Sequence, residues 1–477
     1  MIININNFFI ITHYELINSI LLIYSFMNRI IPWELKAMTE GTPWKHILNF
    51  AIPVLAGSLL QQLYNTADSI IVGRYAGQSS LAGVGTTGSF VFFFLAIAIG
   101  LSAGNSIIIA QHYGAKDEVN VRKAASTGIL FLLSVGFIMT LIGIAISEPA
   151  LIYLIGVKPE YHAHALTYFR WYCMGLVFQF GYNIFASILR AVGDSRATLY
   201  FLIISSILNI LLDLLFVKVF NLGVFGVALA TDLAQVGSFV SAYIYMIKKY
   251  PLFHFTLNEY KWDSQSAKST VIVGCPIALQ LIIVAFGLTF IQRAVNGFGA
   301  DMTASFTVGS RIEMYLRLPC NAFHTTLATY TGQNIGAGKI DRVKIGTRQT
   351  LIISLIMTLC TSATVWFFAK DIISLFGIGA KASEYCIAHL KTVAIINIIL
   401  SMYIPLFGVF QGTNHSIIPT IVAIFALTGR VLATYVFRYS PLFGFSIVWW
   451  NGIFGFCIGF SISWCCYLKG IWYRKIQ

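Results

Sequence analysis

The strongest constraint in this sequence is a succession of long apolar stretches separated by short polar segments. A helix that crosses a lipid bilayer needs roughly 20 mainly apolar residues. Stretches of that kind lie near residues 46–73, 82–110, 124–147, 164–189, 197–218, 223–247, 269–296, 302–332, 349–369, 384–411, 416–437 and 443–468. The pattern predicts an all-α integral membrane protein with twelve transmembrane helices.

The composition agrees with a membrane protein and excludes an ordinary soluble enzyme. Of the 477 residues, 57% are hydrophobic and only 10% are charged, whereas soluble domains carry about a quarter charged residues. Lys and Arg outnumber Asp and Glu by 31 to 18, but the excess is spread between the apolar stretches. Because no basic patch forms, we do not expect nucleic acid as a partner.

The residues that commonly carry catalysis or bind metals are dispersed. The eight cysteines form no CxxC pair, and the nine histidines form no HExxH motif. We therefore expect no catalytic residues, no cofactor and no structural metal. The sequence favours a protein that is not an enzyme.

One polar segment divides the apolar stretches into two groups of six. The segment 248–268 follows the sixth stretch and is long enough for a linker. We predict an N-terminal lobe over 38–247 and a C-terminal lobe over 269–477. Basic residues concentrate in the loops on the side of the N-terminus, which predicts that both termini are cytoplasmic in a multi-pass protein of the plasma (inner) membrane.

The first 37 residues fit this plan poorly. The apolar stretch 16–26 is short, follows no basic residue and precedes no small-residue cleavage site, so it is not a convincing signal peptide. Met38 opens the sequence MTEGTPWKH, which leads directly into the first span. Our hypothesis is that Met38 is the physiological start and that 1–37 is not native. The alternative is a thirteenth helix, amphipathic or spanning.

The two halves contain a repeat at an offset of 222 residues. Matching pairs are Gly77 with Gly299, Ala82 with Ala304, Gln111 with Gln333, Gly114 with Gly336, Ala115 with Ala337 and Val121 with Val343. Because each half has an even number of spans, both copies enter the membrane in the same orientation. The repeat predicts two pseudo-symmetric six-helix lobes around a central cavity, with rocking of one lobe against the other.

Two acids lie well inside apolar spans. An ionisable residue there costs about 3 kcal/mol on insertion scales, which makes Asp68 and Asp213 functional candidates. Asn209 shares the helical face of Asp213, and Thr231 lies at a similar depth. These oxygen ligands suit Na⁺, while two nearby carboxylates can also hold H⁺. The structural alternative is hydrogen bonding between packed helices.

Other polar residues in the spans leave alternatives open. Gln61 and Tyr64 fall on one stripe with Asp68, where they either line a cavity and touch substrate or pack against a neighbouring helix. Glu313 has Arg317 one turn later, which predicts a structural ion pair, with a second proton site as the rival interpretation. Arg293 and Arg430 also lie within spans, and the sequence assigns them no partners. Proline inside a span favours a kink, and a bend at Pro53 would move Asp68.

Several motifs, in order, carry a resemblance to a known family. They are AIPVLAGSLLQQLYNTADSIIVGRYAG, LRAVGDS, LNILLD and LGVFGVALAT. The chain from Met38 onward resembles the multidrug and toxic compound extrusion (MATE) transporters, in particular their DinF-like prokaryotic branch. The resemblance implies export of lipophilic, often cationic, drugs and dyes in exchange for H⁺ or Na⁺.

The resemblance also implies roles for individual residues. Positions matching the family's coupling site are Asp68, Asn209, Asp213 and Thr231. Gln61 and Tyr64 match positions that line the drug cavity, and Pro53 matches the bending point of the first helix. One departure concerns span 4, where Ala186 stands in place of an Asn that relatives carry. Asn183, one turn earlier, is the candidate substitute and a predicted substrate-binding residue, although it lies deeper toward the cytoplasm than Asp68.

Other functional classes fit less well. A dedicated flippase or exporter of one lipid-linked substrate or metabolite is the nearest rival within the same superfamily. A channel is disfavoured because no filter-like loop interrupts the spans, and a membrane transferase would need a cluster of acids or histidines at a membrane face. As partners we expect the lipid bilayer and small-molecule drugs or dyes, and as oligomeric state a monomer.

Overall fold

The structure is a computed structural model that describes residues 37–473, and the hypothesis about 1–37 falls almost wholly outside that range. The described residues form thirteen α-helices. In the first half these are α1 (Pro43–Ile71), α2 (Gln78–Gly114), α3 (Glu118–Pro149), α4 (Pro159–Met174), α5 (Leu176–Ala191), α6 (Ser195–Asp213) and α7 (Gly223–Lys249). In the second half these are α8 (Ser264–Asn296), α9 (Ala300–Gly336), α10 (Ile340–Ser374), α11 (Ala380–Gly412), α12 (Ile417–Phe437) and α13 (Ile447–Leu468).

Of the twelve predicted crossings, eleven correspond to helices long and apolar enough to span a membrane. Ten of these are single helices, and α4 with α5 forms one further span that bends by 48°. The predicted eighth span corresponds to α9, which is too polar to pass the same test and carries Arg311, Glu313 and Arg317 among its polar residues. The polar character of α9 marks it as a helix with a role beyond contact with lipid.

The internal repeat appears as matched helices. α2 and α9 are both 37 residues long, and each begins after a glycine with a positive φ angle. The φ angle is 91° at Gly77 and 98° at Gly299, a backbone conformation that residues with a Cβ rarely adopt. The helix bounds reproduce the offset of 222 residues that the sequence comparison predicts.

The connection between the halves is shorter than the sequence predicts. α7 extends to Lys249 and α8 begins at Ser264, so the helices occupy both ends of the predicted 248–268 linker. The intervening segment packs on the beginning of α3. Its contacts include a hydrogen bond of 2.9 Å from the Lys261 amide to Ser126 Oγ and one of 2.8 Å from Arg122 to the Leu252 carbonyl.

The first helix divides its packing between the two halves of the chain. Near its beginning, Ile47, Phe50 and Ala51 are buried in a cluster with residues of α9, α11 and α13. Its later part packs on α6, where Gly57 lies against Leu202. Pro53 lies between these two parts and cannot donate to the Asn49 carbonyl one turn earlier. α1 thus connects the C-terminal half to the part of the N-terminal half that holds Asp68.

Candidate functional site

The two buried acids meet at the ends of α1 and α6. Asp68 lies in the last turn of α1, and Asp213 is the final residue of α6. Each helix continues as a π-helical segment, Val72–Ala76 after α1 and Leu214–Val219 after α6, and these two segments contact each other. π-Helical turns are rare and often occur at functional sites. The contact between these segments, and of α1 with α6, places the two acids near each other on adjoining helices.

The polar atoms around this pair lack protein partners. Asp213 is fully buried, and neither of its carboxylate oxygens has a hydrogen-bond donor among the described residues. Asp68 Oδ1 and both side-chain polar atoms of Asn209 are also buried and have no hydrogen-bond partner among the described residues. Buried polar groups in proteins are nearly always hydrogen-bonded. Five such atoms on two adjoining helices therefore indicate a place built for a ligand.

Two further predicted site residues lie on α7 and α1. Thr231 is buried in α7, and its hydroxyl donates to the Val227 carbonyl of the same helix over 3.0 Å, which leaves its oxygen able to accept or coordinate. Tyr64 lies one turn before Asp68 on α1, on the same side of the helix.

The other predicted substrate contacts are placed differently. Gln61 lies two turns before Asp68 on α1 and is exposed, so the face of α1 that carries the acid is accessible at that level. The Asn183 amide donates to the Gln179 carbonyl within α5 over 2.9 Å, and no recorded contact among the described residues joins it to the acids. Ala186 is buried in the packing of α5.

Sequence reasoning missed a third acid in this half. Asp232 follows Thr231 in α7, and its carboxylate lies over Gly175, where a Cβ would overlap Oδ1. Gly175 is the residue at which the span formed by α4 and α5 breaks. The signal was available, because Asp232 is an acid inside an apolar span and carries the same insertion cost as Asp68.

In the second half, the predicted pair of Glu313 and Arg317 forms. The guanidinium of Arg317 donates to the Glu313 carboxylate one turn earlier on α9. His389 of α11 approaches the same carboxylate, with its Nε2 3.9 Å from Oε2. The ion pair itself lies within α9, and His389 connects its carboxylate to α11.

The side chains at Asp68, Asn209 and Asp213 offer oxygen atoms as possible ligands. Within 37–473, no group of three or more His, Cys, Asp or Glu side chains is arranged to hold a metal ion of the kind that enzymes retain. Carboxylate, amide and hydroxyl oxygens instead match a hard cation. A two-lobed bundle of membrane-crossing helices, with paired acids buried at the ends of two adjoining helices, has the architecture of a membrane transporter.

Comparison with known proteins identifies the family. The MatE family model matches twice, over residues 53–215 and 276–436, once in each half of the chain. The chain belongs to this family of multidrug efflux transporters. The two matches correspond to the repeat found in the sequence.

Individual relatives cover nearly the whole chain. A probable multidrug resistance protein of Bacillus subtilis, YoeA, is 26% identical over 93% of this chain and 97% of its own length. A second protein of that description and organism, YpnP, is 28% identical over 89% of this chain and 93% of its own length. A solved MOP superfamily transporter from Pyrococcus furiosus superposes with a TM-score of 0.86 at 26% identity, covering 92% of this chain and 98% of that one. These proteins are transporters and not enzymes.

Proposed function

We propose that the protein is a cation-coupled antiporter that exports lipophilic, often cationic, drugs and toxic compounds by alternating access. The observation that carries the proposal is the pair formed by Asp68 and Asp213, whose buried oxygens have no protein donors. Two carboxylates held this close in a medium of low dielectric constant repel each other unless a cation lies between them. The pair is thus a receptor for a coupling ion.

The chemistry of the pair accommodates either ion. For Na⁺, the carboxylate oxygens, the Asn209 amide oxygen and the Thr231 hydroxyl oxygen supply ligands of the preferred type. For H⁺, one proton satisfies both acids through a hydrogen bond between the two carboxyl groups. Both alternatives replace repulsion by attraction, and both pull the end of α1 toward α6.

The packing of α1 connects ion binding to the arrangement of the lobes. The beginning of α1 is buried among helices of the C-terminal half, while Asp68 lies against the N-terminal half. A displacement of Asp68 therefore acts on the contact between the halves, with Pro53 as the point where α1 bends. A ligand shifts a conformational equilibrium only by its difference in affinity for the two states. If Asp68 moves relative to Asp213 between the two states, the coupling ion binds them with different affinities.

Substrate contacts are assigned to the accessible face near the pair. Gln61 is exposed on α1, and Tyr64 lies between Gln61 and the acids along the helix. Asn183 on α5 completes the set of substrate-binding candidates. In this scheme the protein resides in the inner membrane with both termini cytoplasmic, because basic residues concentrate in the loops on that side.

Transport in liposomes tests the proposal. The purified protein is reconstituted and ethidium flux is measured under an imposed pH gradient and, separately, under an imposed Na⁺ gradient. We expect one gradient to drive flux, which identifies the ion, and we expect Asp68→Asn to abolish that coupling. Asp301→Asn, an exposed acid in the first turn of α9, is the matched control and retains parental flux.

Two outcomes would contradict the proposal in different ways. If Asp68→Asn keeps gradient-driven flux, the protein is still an antiporter, but Asp68 does not form its ion site. Folded protein that moves ethidium under neither gradient favours a dedicated exporter or flippase.

A further inference from the structure

A second group of charges lies inside the C-terminal half, away from the acid pair. Glu313 and Arg317 belong to α9, His389 to α11 and Arg430 to α12. Glu313, His389 and Arg430 line one narrow cavity. Its wall includes the aromatic side chains of Phe306, Trp449 and Phe456. The cavity is thus a polar site with aromatic walls inside a membrane-spanning lobe.

The charges in this site do not balance. It contains one carboxylate, Glu313, and two guanidinium groups, Arg317 and Arg430, which gives an excess of one positive charge. Protonation of His389 would only enlarge that excess. Charged side chains inside membrane proteins normally occur in compensated pairs, so the site lacks one negative charge.

Arg430 is oriented to receive that charge. Its side chain is only 8% exposed, and its Nε donates to Asn451 Oδ1 over 2.8 Å. No protein hydrogen bond is recorded for its two terminal amino groups within the described part of the chain. The Asn451 amide in turn donates to the Val448 carbonyl, which fixes the orientation of the acceptor. Arg430 therefore presents a rigid pair of unused donors toward the cavity.

The aromatic wall holds both guanidinium groups without neutralising them. The ring of Phe456 lies 5.0 Å from Arg430 Cζ and 5.5 Å from Arg317 Cζ. Cation–π contacts stabilise the two cations near each other but use none of their hydrogen-bond donors. His389 is stacked between Phe306 and Trp449, at ring distances of 5.4 and 6.1 Å, so its position is also fixed.

We propose that this cavity binds a monovalent anion, with Arg430 as the principal ligand and Arg317 as the second cation. A single negative charge neutralises the site, whereas a divalent anion would leave an excess of the opposite sign. Guanidinium groups bind carboxylates through paired hydrogen bonds, and the narrow cavity limits the bound group to about the size of a halide or a carboxylate. The anion is either a free halide or the carboxylate of a transported molecule.

Anion-dependent stabilisation of the full-length purified protein tests this site. Bromide is titrated in a chloride-free buffer, with sulfate at equal ionic strength as the reference, and the melting temperature is recorded. We expect a saturable stabilisation by bromide in the parent, with an apparent affinity at least tenfold weaker in Arg430→Gln. Arg311→Gln, an exposed arginine on α9, is the control and retains the parental response.

A direct measurement covers the case in which Arg430→Gln does not fold. Anomalous diffraction from crystals grown with bromide should show a peak between Arg430 and Trp449 in the parent protein. Arg317→Gln, which removes the second cation and leaves Arg430 in place, should weaken the bromide response. The proposal is overturned if bromide stabilises no more than sulfate, if Arg430→Gln keeps the parental affinity, or if the peak lies elsewhere.

Competition identifies the source of the anion. If formate, a carboxylate small enough for the cavity, displaces bromide, the site binds the carboxylate of an organic molecule. If bromide binds and formate does not compete, the site binds a free halide. Either result supports the anion site. Neither result depends on which ion binds at Asp68 and drives ethidium flux.

Discussion

The backbone at Gly114 lies directly against the carbonyl oxygen of Gln333, and a Cβ at Gly114 would overlap that oxygen. The same relationship holds in reverse, because a Cβ at Gly336 would overlap the carbonyl oxygen of Gln111. The two glutamines also bond across the halves, with Gln333 donating to the Ala191 carbonyl over 2.7 Å and Gln111 to the Gly412 carbonyl over 2.9 Å. The ends of α2 and α9 thus close against each other, and only glycine permits this approach.

Substitution of Gly114 by Ala should open this contact. The added methyl group meets backbone, which cannot rotate away, so the two helices must separate at a cost of about 1 to 3 kcal/mol. We expect a lower melting temperature and less efficient cross-linking between the ends of α2 and α9. Gly88→Ala on the same helix, where a Cβ meets nothing within 4 Å, is the control. Equal effects of the two variants would refute the proposed contact.

Asp213→Asn should raise the thermal stability of the protein and lower its rate of transport. The substitution removes the repulsion between two buried carboxylates and supplies an amide donor to Asp68, so the melting temperature should rise. Gradient-driven flux should fall at least about tenfold, equivalent to roughly 1.4 kcal/mol, because the coupling ion loses a ligand. Thermal denaturation and liposome flux on the same preparation check both effects. A variant that is less stable and fully coupled would contradict the role of the pair.

Pro53→Ala should slow transport without abolishing ion binding. Alanine restores the hydrogen bond to the Asn49 carbonyl and favours a straight α1, and proline in a helix interior costs about 3 kcal/mol relative to alanine. We expect slower flux with an unchanged dependence on the driving ion. Pro276→Ala, one residue from the matching place in α8, is the comparison. Flux at the parental rate in Pro53→Ala would argue against bending at this residue.

The contacts that hold the segment 250–263 after α7 should weaken at acidic pH. Glu259 accepts hydrogen bonds from the Thr256 amide and hydroxyl over 2.7 and 2.9 Å, and these bonds, assisted by Arg122, lower the pKa of Glu259 below its usual 4.5. Because the folded-state pKa is the lower one, the stabilisation is present above about pH 4.5 and is lost as pH falls through the folded-state value.

Hydrogen exchange measures this effect. Amide exchange in the segment 250–263, corrected for its intrinsic pH dependence, should rise as pH falls below 4.5. Glu259→Gln should remove the pH dependence of that rise. An unchanged pH profile in Glu259→Gln would mean that another group holds the linker.

Much of the candidate site follows from local sequence features. Asp68 and Asp213 stand out because acids are costly in apolar spans, and the spacing from Asn209 to Asp213 places both on one helical face. The pairing of Glu313 with Arg317 likewise follows from their spacing of four residues. Asp232 carries the same local signal and was overlooked, whereas the surroundings of Arg430 depend on Asn451 and Phe456 from another helix, which no local spacing reveals.

The sequence by itself determined the apolar segments, the repeat and the residues that are expensive to bury, because hydropathy and helical periodicity are local properties. Only the tertiary structure decided which of these residues meet. It divided the packing of α1 between the two halves, brought the end of α1 against the end of α6, and placed Arg430 in a site with an excess of one positive charge. Contacts between distant segments depend on how whole helices pack, and that packing is set by many side chains together.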